Sequence, residues 1–248
     1  QMKRIYTSVI KEHFKRHQQM IFLVGPRQAG KTTVSLMAKE FTSQFVYLNW
    51  DNLDHRKIIL QGVNSVADFA GLDKLSSGVP IIVFDEVHKY GKWKTFLKGF
   101  FDTYKGKVNI IVTGSSRLDV YKKGGDSLMG RYFPYRLHQL SLGELRRTNL
   151  LEKEINEPFQ SKNQEFENLF KNGGFPEPFI KNDPKFLNRW KNLRQKQLIR
   201  EDIRDLSRIQ ELGQIELLAE ILRHQAGQLT NYSNLANKIN VSSDTVRR

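Results

Sequence analysis

The chain has 248 residues, no cysteine, 39% hydrophobic residues and a formal net charge of +14. That apolar share supports a packed core and argues against wholesale disorder. Disulfides and thiolate metal sites are excluded, and no apolar run approaches the roughly 20 residues of a membrane-crossing helix. The charge favours polyanions as partners, namely nucleic acid, nucleotides or an anionic membrane face, although a solubilising surface accounts for it equally well. Residues 1–145 carry 22 Lys+Arg against 12 Asp+Glu, and the remainder 18 against 14, so the excess lies mainly in the front part.

In chain order, residues 4–18 place Ile5, Val9, Ile10 and Phe14 at helical spacing among charges, which predicts an amphipathic helix rather than a secretory leader. Met20–Val24 is an apolar run ending at Gly25, a buried strand, and a helix follows from Lys31. Phe45–Trp50 reads as a strand, Asp54–Gln61 and Val66–Leu75 as short helices, and Pro80–Phe84 as a strand. Lys92–Tyr104 reads as a helix, Val108–Thr113 as a strand, Leu118–Tyr121 as the start of a helix, and Tyr132–Leu137 as a fifth strand. Strands alternating with helices, several of them continuously apolar, predict an α/β fold with a parallel sheet covered on both faces. Ligands of such folds sit at the carboxyl ends of the strands.

Beyond about Leu145 the strand signals stop. Glu165–Lys171, Pro184–Asp205 and Gln214–His224 read as helices, with Gly173-Gly174-Phe175-Pro176 as a break. The expected organisation is a P-loop domain at 1–145, a helical lid or linker at 146–212, and the start of a helix-turn-helix domain at 213–248, cut off within its second helix.

Gly25-Pro26-Arg27-Gln28-Ala29-Gly30-Lys31-Thr32 fits G-x-x-x-x-G-K-S/T between a strand and a helix, with Thr33 next in line. Its glycines let the backbone turn tightly, so that successive N–H groups form an anion-binding nest backed by the helix N-terminus. Lys31 is expected to reach the β- and γ-phosphates, and the Thr32 hydroxyl to ligate magnesium.

The strand Pro80–Phe84 runs into Asp85 and Glu86. Asp85 suits the magnesium shell, and Glu86 suits a group that orients the attacking water. Two acids at a buried strand end are costly without a cation or partner to compensate them. Together with the loop they point to hydrolysis rather than binding alone. The next strand ends in Thr113-Gly114-Ser115-Ser116-Arg117, and the hydroxyls of Thr113 and Ser115 are equal candidates for contacting the γ-phosphate or the water. Arg131, then Arg117, then Arg136 are the candidate arginines for transition-state charge, all read as lying near the sheet's active edge.

With these motifs assembled, the chain resembles the AAA+-type P-loop ATPases, and within them a prokaryotic group with a C-terminal region of unknown function. The stretches that carry the likeness are GPRQAGKTT (25–33), VYLNWD (46–51), IIVFDEVHK (81–89), IIVTGSSR (110–117), GRYFPYRLHQLSLGEL (130–145) and GGFPEPF (173–179). The resemblance implies a five-stranded sheet ordered 5-1-4-3-2, ATP as the nucleotide with Mg2+, and a helical region after the core. It carries Walker A roles onto Lys31 and Thr32, Walker B roles onto Asp85 and Glu86, a sensor role onto Thr113 or Ser115, and more weakly a finger role onto Arg131.

Leu235–Arg247 reads as a helix, a turn at Asn240 and a second helix capped by Ser242. It resembles a helix-turn-helix of the winged type, whose second helix would offer Ser243, Asp244, Arg247 and Arg248 to a major groove. Duplex DNA or a protein partner are the two readings for Leu235–Arg248. Lysines 89, 92, 94, 98, 105 and 107 form a basic stretch that could track phosphates or be a solvated face. The function expected is Mg-dependent ATP hydrolysis used as a switch or motor in the cytoplasm, the oligomeric state being open and including a homo-oligomer. The alternative is a nucleotide-gated DNA-binding regulator with incidental hydrolysis. A helicase, suggested by the D-E-x-H form of residues 85–88, and a GTPase, which lacks an N-K-x-D motif here, fit less well.

Overall fold

A computed structural model describes residues 2–73, 78–114, 128–150, 163–199 and 212–247. The chain divides into two compact units, Gln1–Asn182 and Asp183–Arg248.

The first unit opens with helix α1 (Ile5–Arg16), then strand β1 (Met20–Val24), the loop of residues 25–30 and helix α2 (Lys31–Met37). Strand β2 (Phe45–Asn49) and helices α3 (Leu53–Leu60) and α4 (Val63–Ala70) follow. Next come strand β3 (Ile81–Asp85), helix α5 (Trp93–Tyr104), and strands β4 (Asn109–Thr113) and β5 (Tyr132–Arg136). Helices α6 (Leu142–Arg146), α7 (Asn163–Asn172) and α8 (Pro176–Lys181) complete the unit. The expected strands agree to within a residue or two. Helix α4 begins earlier than its apolar spacing indicated and stops at Gly71, whose φ of 63° closes it as a left-handed cap. Pro176 does not simply interrupt the chain but starts α8, where its missing N–H costs nothing. The helix expected to start at Leu118 lies outside the described residues.

All strand pairs are parallel, in the order β2-β3-β4-β1-β5. This is the 5-1-4-3-2 sheet of a P-loop NTPase. The inner strands β1 and β3 are buried throughout, which explains their unbroken apolar sequences. Pro134 sits in β5, an edge strand, where a missing donor can face away from the sheet.

Alternation along the strands sorts the core into two layers. Ile21, Leu23, Ile81, Val83 and Ile111 face one way and pack with Ile10 of α1 and Val34 of α2. Phe22, Phe84, Ile82, Ile110 and Val112 face the other way, against Ile59, Val66, Leu97 and Phe100 of α3, α4 and α5. Phe100 is completely buried, its ring edge-on to Phe84 at 5.6 Å and stacked near Phe96 at 6.2 Å. Asp85 and Thr113 continue the first set of positions, so their side chains share the face that carries α2.

The second unit is helical. Helix α9 (Pro184–Gln197) begins at Asp183, whose carboxylate accepts the Lys185 N–H at 3.0 Å. Leu212–His224, Tyr232–Ile239 and Ser243–Arg247 are further helices. Asn231 caps the Tyr232 helix by accepting the Asn234 N–H at 3.0 Å. Asn240 turns the chain with φ 55°, and Ser242 accepts the Thr245 N–H at 3.1 Å to start the last helix. Leu235, Ala236 and Ile239 are the buried residues of the Tyr232 helix.

Candidate functional site

The loop of residues 25–30 is built by β1 and α2. Gly25 has φ 149°, and a Cβ there would stand 2.3 Å from the Leu137 carbonyl oxygen, so the loop can leave β1 beneath the end of β5 only without a side chain. Gln28 at φ 64° and Gly30 at φ 96° supply the left-handed turns that curl the backbone back on itself. Ala29 is buried, while Pro26 and Arg27 are half-buried and Gln28 is exposed. Lys31 is 8% exposed and donates to the carbonyls of Gly25 at 3.0 Å and Pro26 at 2.9 Å, so its ammonium lies within the curl.

Three elements converge on Asp85, which is 4% exposed. The Thr32 hydroxyl donates to Oδ2 at 3.0 Å from the start of α2. The Tyr47 hydroxyl donates to the same oxygen at 2.5 Å from β2. The fully buried Thr113 hydroxyl donates to Oδ1 from β4. The sheet register enforces this meeting, since Asn49, Asp85 and Thr113 stand side by side across β2, β3 and β4. Burial, and then the neighbouring Asp85 carboxylate, push the Tyr47 hydroxyl well above the ordinary tyrosine range. Tyr47 is therefore a lasting donor at neutral pH.

Glu86 leaves β3 at φ 58°, a left-handed turn costing about 1 kcal/mol for a residue with a side chain. Its N–H donates to the Thr113 carbonyl at 3.0 Å, which fixes the turn. The Glu86 carboxylate is 24% exposed and lies 3.3 Å from the Lys89 ammonium, which also contacts Asp51 at 2.6 Å. Burial pulls the Lys89 pKa down, but the two carboxylates outweigh it and hold the group above its ordinary value.

The candidate arginines part company. Arg131 was expected at the active edge, and this is corrected. It precedes β5, and its carbonyl accepts the Met20 N–H at the opposite, amino end of β1. A five-residue strand is about 16 Å long, which separates Arg131 from the loop of its own chain. Its guanidinium pairs with Asp102 through Nε at 2.7 Å and Nη2 at 2.9 Å. Arg136, at the carboxyl end of β5 in register with Val24, stands nearer the loop than Arg131 does. Ser115 and Arg117 lie outside the described residues.

Sequence reasoning missed Tyr47 and Arg4. Arg4 is 3% exposed and donates to the Ala29 carbonyl of the loop at 2.9 Å. A signal for it existed: a cation at the start of a helix opposes the helix dipole and calls for another partner. A cavity of about 320 Å³ opens beside the loop, its surface mainly apolar and its lining made by Met2, Arg4, Gly30, Thr33, Pro176, Glu177, Ile180 and Lys181.

Donor chemistry at Thr32 and Asp85 suits magnesium. Both offer hard oxygens, and magnesium takes one or two protein oxygens while keeping phosphate oxygens and waters. Among the described residues no cluster of three or more His, Cys, Asp or Glu forms an all-protein cage for a metal.

Residues 17–146 match the family described as an AAA domain, and the chain belongs to that family. Residues 163–248 match a family described as a domain of unknown function (DUF8612). No curated protein matches the chain. Among solved structures it is similar to AMPPCP-bound DnaA from Aquifex aeolicus, at 15% identity and TM-score 0.50, over 97% of this chain and 88% of that one. It also aligns with PCH-2 of C. elegans, at 16% identity and TM-score 0.40, over 98% of this chain and 67% of that one. The DnaA likeness is one of fold. Membership in the AAA domain family suggests nucleotide binding and hydrolysis. No helix among the described residues is long and apolar enough to cross a membrane.

Proposed function

We propose that the chain is a magnesium-dependent ATPase whose first unit binds and cleaves ATP at the carboxyl edge of the sheet. The observation that carries this reading is the Thr32 hydroxyl at 3.0 Å from Asp85, at the mouth of a loop that already encloses the Lys31 ammonium. Backbone N–H groups of residues 27–33 cradle the phosphates, and Lys31 exchanges its carbonyl partners for phosphate oxygens. Thr32 and Asp85 would hold a magnesium ion, which would neutralise charge on the phosphate oxygens. Thr113 keeps Asp85 oriented and reports on the γ-phosphate, a role Ser115 shares as an alternative. The neighbouring cavity takes the base and ribose, its apolar wall suiting a flat heterocycle.

Glu86 orients the attacking water and accepts its proton. In the present arrangement Lys89 holds the Glu86 carboxylate, so catalysis requires this pair to loosen. Arg131 cannot serve the nucleotide of its own chain from the amino edge. We therefore assign it to the nucleotide of an adjacent copy, which makes the active form a homo-oligomer.

Turnover drives the C-terminal helices as a switch or motor in the cytoplasm, with duplex DNA as the target of Leu235–Arg248. The division into an ATPase domain at 1–145, a linker at 146–212 and a target-binding segment at 213–248 is part of this proposal. The helix, left-handed Asn240 and second helix support it, as does Arg247, which stacks over Tyr232 at 5.4 Å and keeps its charge at the surface. The second reading, a nucleotide-gated DNA-binding regulator, rests on the same helices and the +14 charge.

Phosphate release from ATP with magnesium, compared with Lys31→Ala, tests the enzyme reading. Turnover no greater than that of the variant would overturn it. Duplex binding followed across a salt titration tests the second reading, and affinity should fall steeply as salt rises. Absence of binding even at low salt would end it.

A further inference from the structure

The Arg4–Glu144 pair beside the phosphate loop has a cost that folding alone does not explain. Arg4 is 3% and Glu144 8% exposed. The guanidinium meets the carboxylate as a fork, from Nε at 2.6 Å and from Nη2 at 3.0 Å. Nη2 also donates to the His138 carbonyl at 2.8 Å, and Glu144 accepts the Ile5 N–H at 3.0 Å. Two buried charges are expensive to desolvate, and an apolar pair of similar volume commonly serves stability as well or better. What an apolar pair cannot do is donate from Nη1 to the Ala29 carbonyl, 2.9 Å away.

That contact has a geometric consequence. The peptide joining Ala29 to Gly30 is trans and planar, so its carbonyl and its N–H point in opposite directions. With the carbonyl held toward Arg4, the Gly30 N–H is turned away from Arg4. Gly30, at φ 96°, has no Cβ to resist rotation of this peptide. The loop is thus free to flip a peptide at the place where Arg4 grips it.

We propose that Arg4 is a positioning residue for the phosphate chain: through Ala29 it locks the Gly30 N–H toward the concavity, and Glu144 locks Arg4. This rests on reading residues 25–32 as a nucleotide site. It predicts that Arg4 acts on the phosphates and not on the base, although Arg4 also lines the adjoining cavity.

The test measures calorimetric binding of ATP and of inorganic tripolyphosphate, each with magnesium, and the melting midpoint of the same samples. The full chain is compared with Arg4→Lys and with Arg4→Met combined with Glu144→Leu. The double variant removes both buried charges together and should remain folded, melting below the parent because the Ala29 and His138 carbonyls and the Ile5 N–H lose their side-chain partners. Its affinity for both ligands should nevertheless fall together, by about tenfold or more, as one charge-assisted contact to the loop is lost. Arg4→Lys keeps the charge facing Glu144, but one ammonium cannot reproduce the fork and also reach Ala29, so it should show the same joint loss. Parental tripolyphosphate affinity in either folded variant, or a loss confined to ATP, would overturn the proposal. If the parent itself binds neither ligand better than Lys31→Ala does, the nucleotide reading fails instead.

Discussion

Residues 1–182 and 183–248 bury apolar surface in different ways. In the first unit, β1 and β3 are buried along their whole length and helices cover both faces of the sheet. In the second, no residue of the Leu212–His224 helix is buried, and Leu217, Leu222 and Leu229 are exposed. A sheet covered on both faces surrounds each apolar side chain with neighbours from several elements. A few short helices cannot do so, and each depends on packing one apolar face against its neighbours. The first unit can therefore hold charges such as Arg4, Lys31 and Asp85 inside it, whereas among the described residues of the second no charged side chain is buried.

The contrast can be broken by mutation. Phe100→Ala empties a site enclosed by Phe84, Phe96 and Tyr104 and should cost about 3–5 kcal/mol, read as a lower denaturant midpoint for the first unit. A second-unit core substitution of equal cost would erase the distinction drawn here. Glu86→Gln should lower ATP turnover about a hundredfold while leaving ATP affinity close to parental, measured by phosphate release and calorimetry. Loss of affinity in step with turnover would mean that Glu86 shapes the loop rather than the water. Leu235→Ala should cost about 2 kcal/mol, near the low end for such a change because a small unit relaxes into the gap. Amide exchange should then quicken in residues 232–247 and stay parental in the strands. Smallest are the cap changes Asn52→Ala and Asn231→Ala, at about 1 kcal/mol each. Asn231→Ala should visibly raise exchange in its own helix, whereas α3, packed on the sheet through Ile59, should conceal most of the loss of Asn52.

How much of this could be read in advance follows the same division. The strands announce themselves because burial on both faces demands unbroken runs such as Met20–Val24 and Ile81–Phe84. The loop of residues 25–30 is legible because its backbone shape depends on glycines at fixed positions. Asn240 and Ser242 are legible because a left-handed turn and a helix start each favour particular side chains. Tyr47 was not legible, because its link to Asp85 exists only once β2 lies beside β3. The place of Arg4 at a helix start signals the need for a partner, but Ala29 and Glu144 lie 25 and 140 positions away, and no local pattern encodes which residues those partners are. Arg131 was misplaced for a simpler reason. Closeness to a strand in sequence does not say which end of the sheet a residue occupies, and Arg131 comes before β5 whereas Arg136 ends it.

The shared level of Asn49, Asp85 and Thr113 across neighbouring strands carries an implication for how this chain can change over generations. Side chains of a strand alternate between faces, so gaining one residue within β3 ahead of Asp85 would send the carboxylate toward α5 and put the Phe84 ring where the acid now stands, while losing one would turn Asp85 the same way and bring Glu86 to its level. Point replacements among the interior aliphatics leave that alternation intact. Length drift should accordingly collect in the connections between strands, and the three inner strands should tolerate exchange of one aliphatic for another far better than any insertion or deletion.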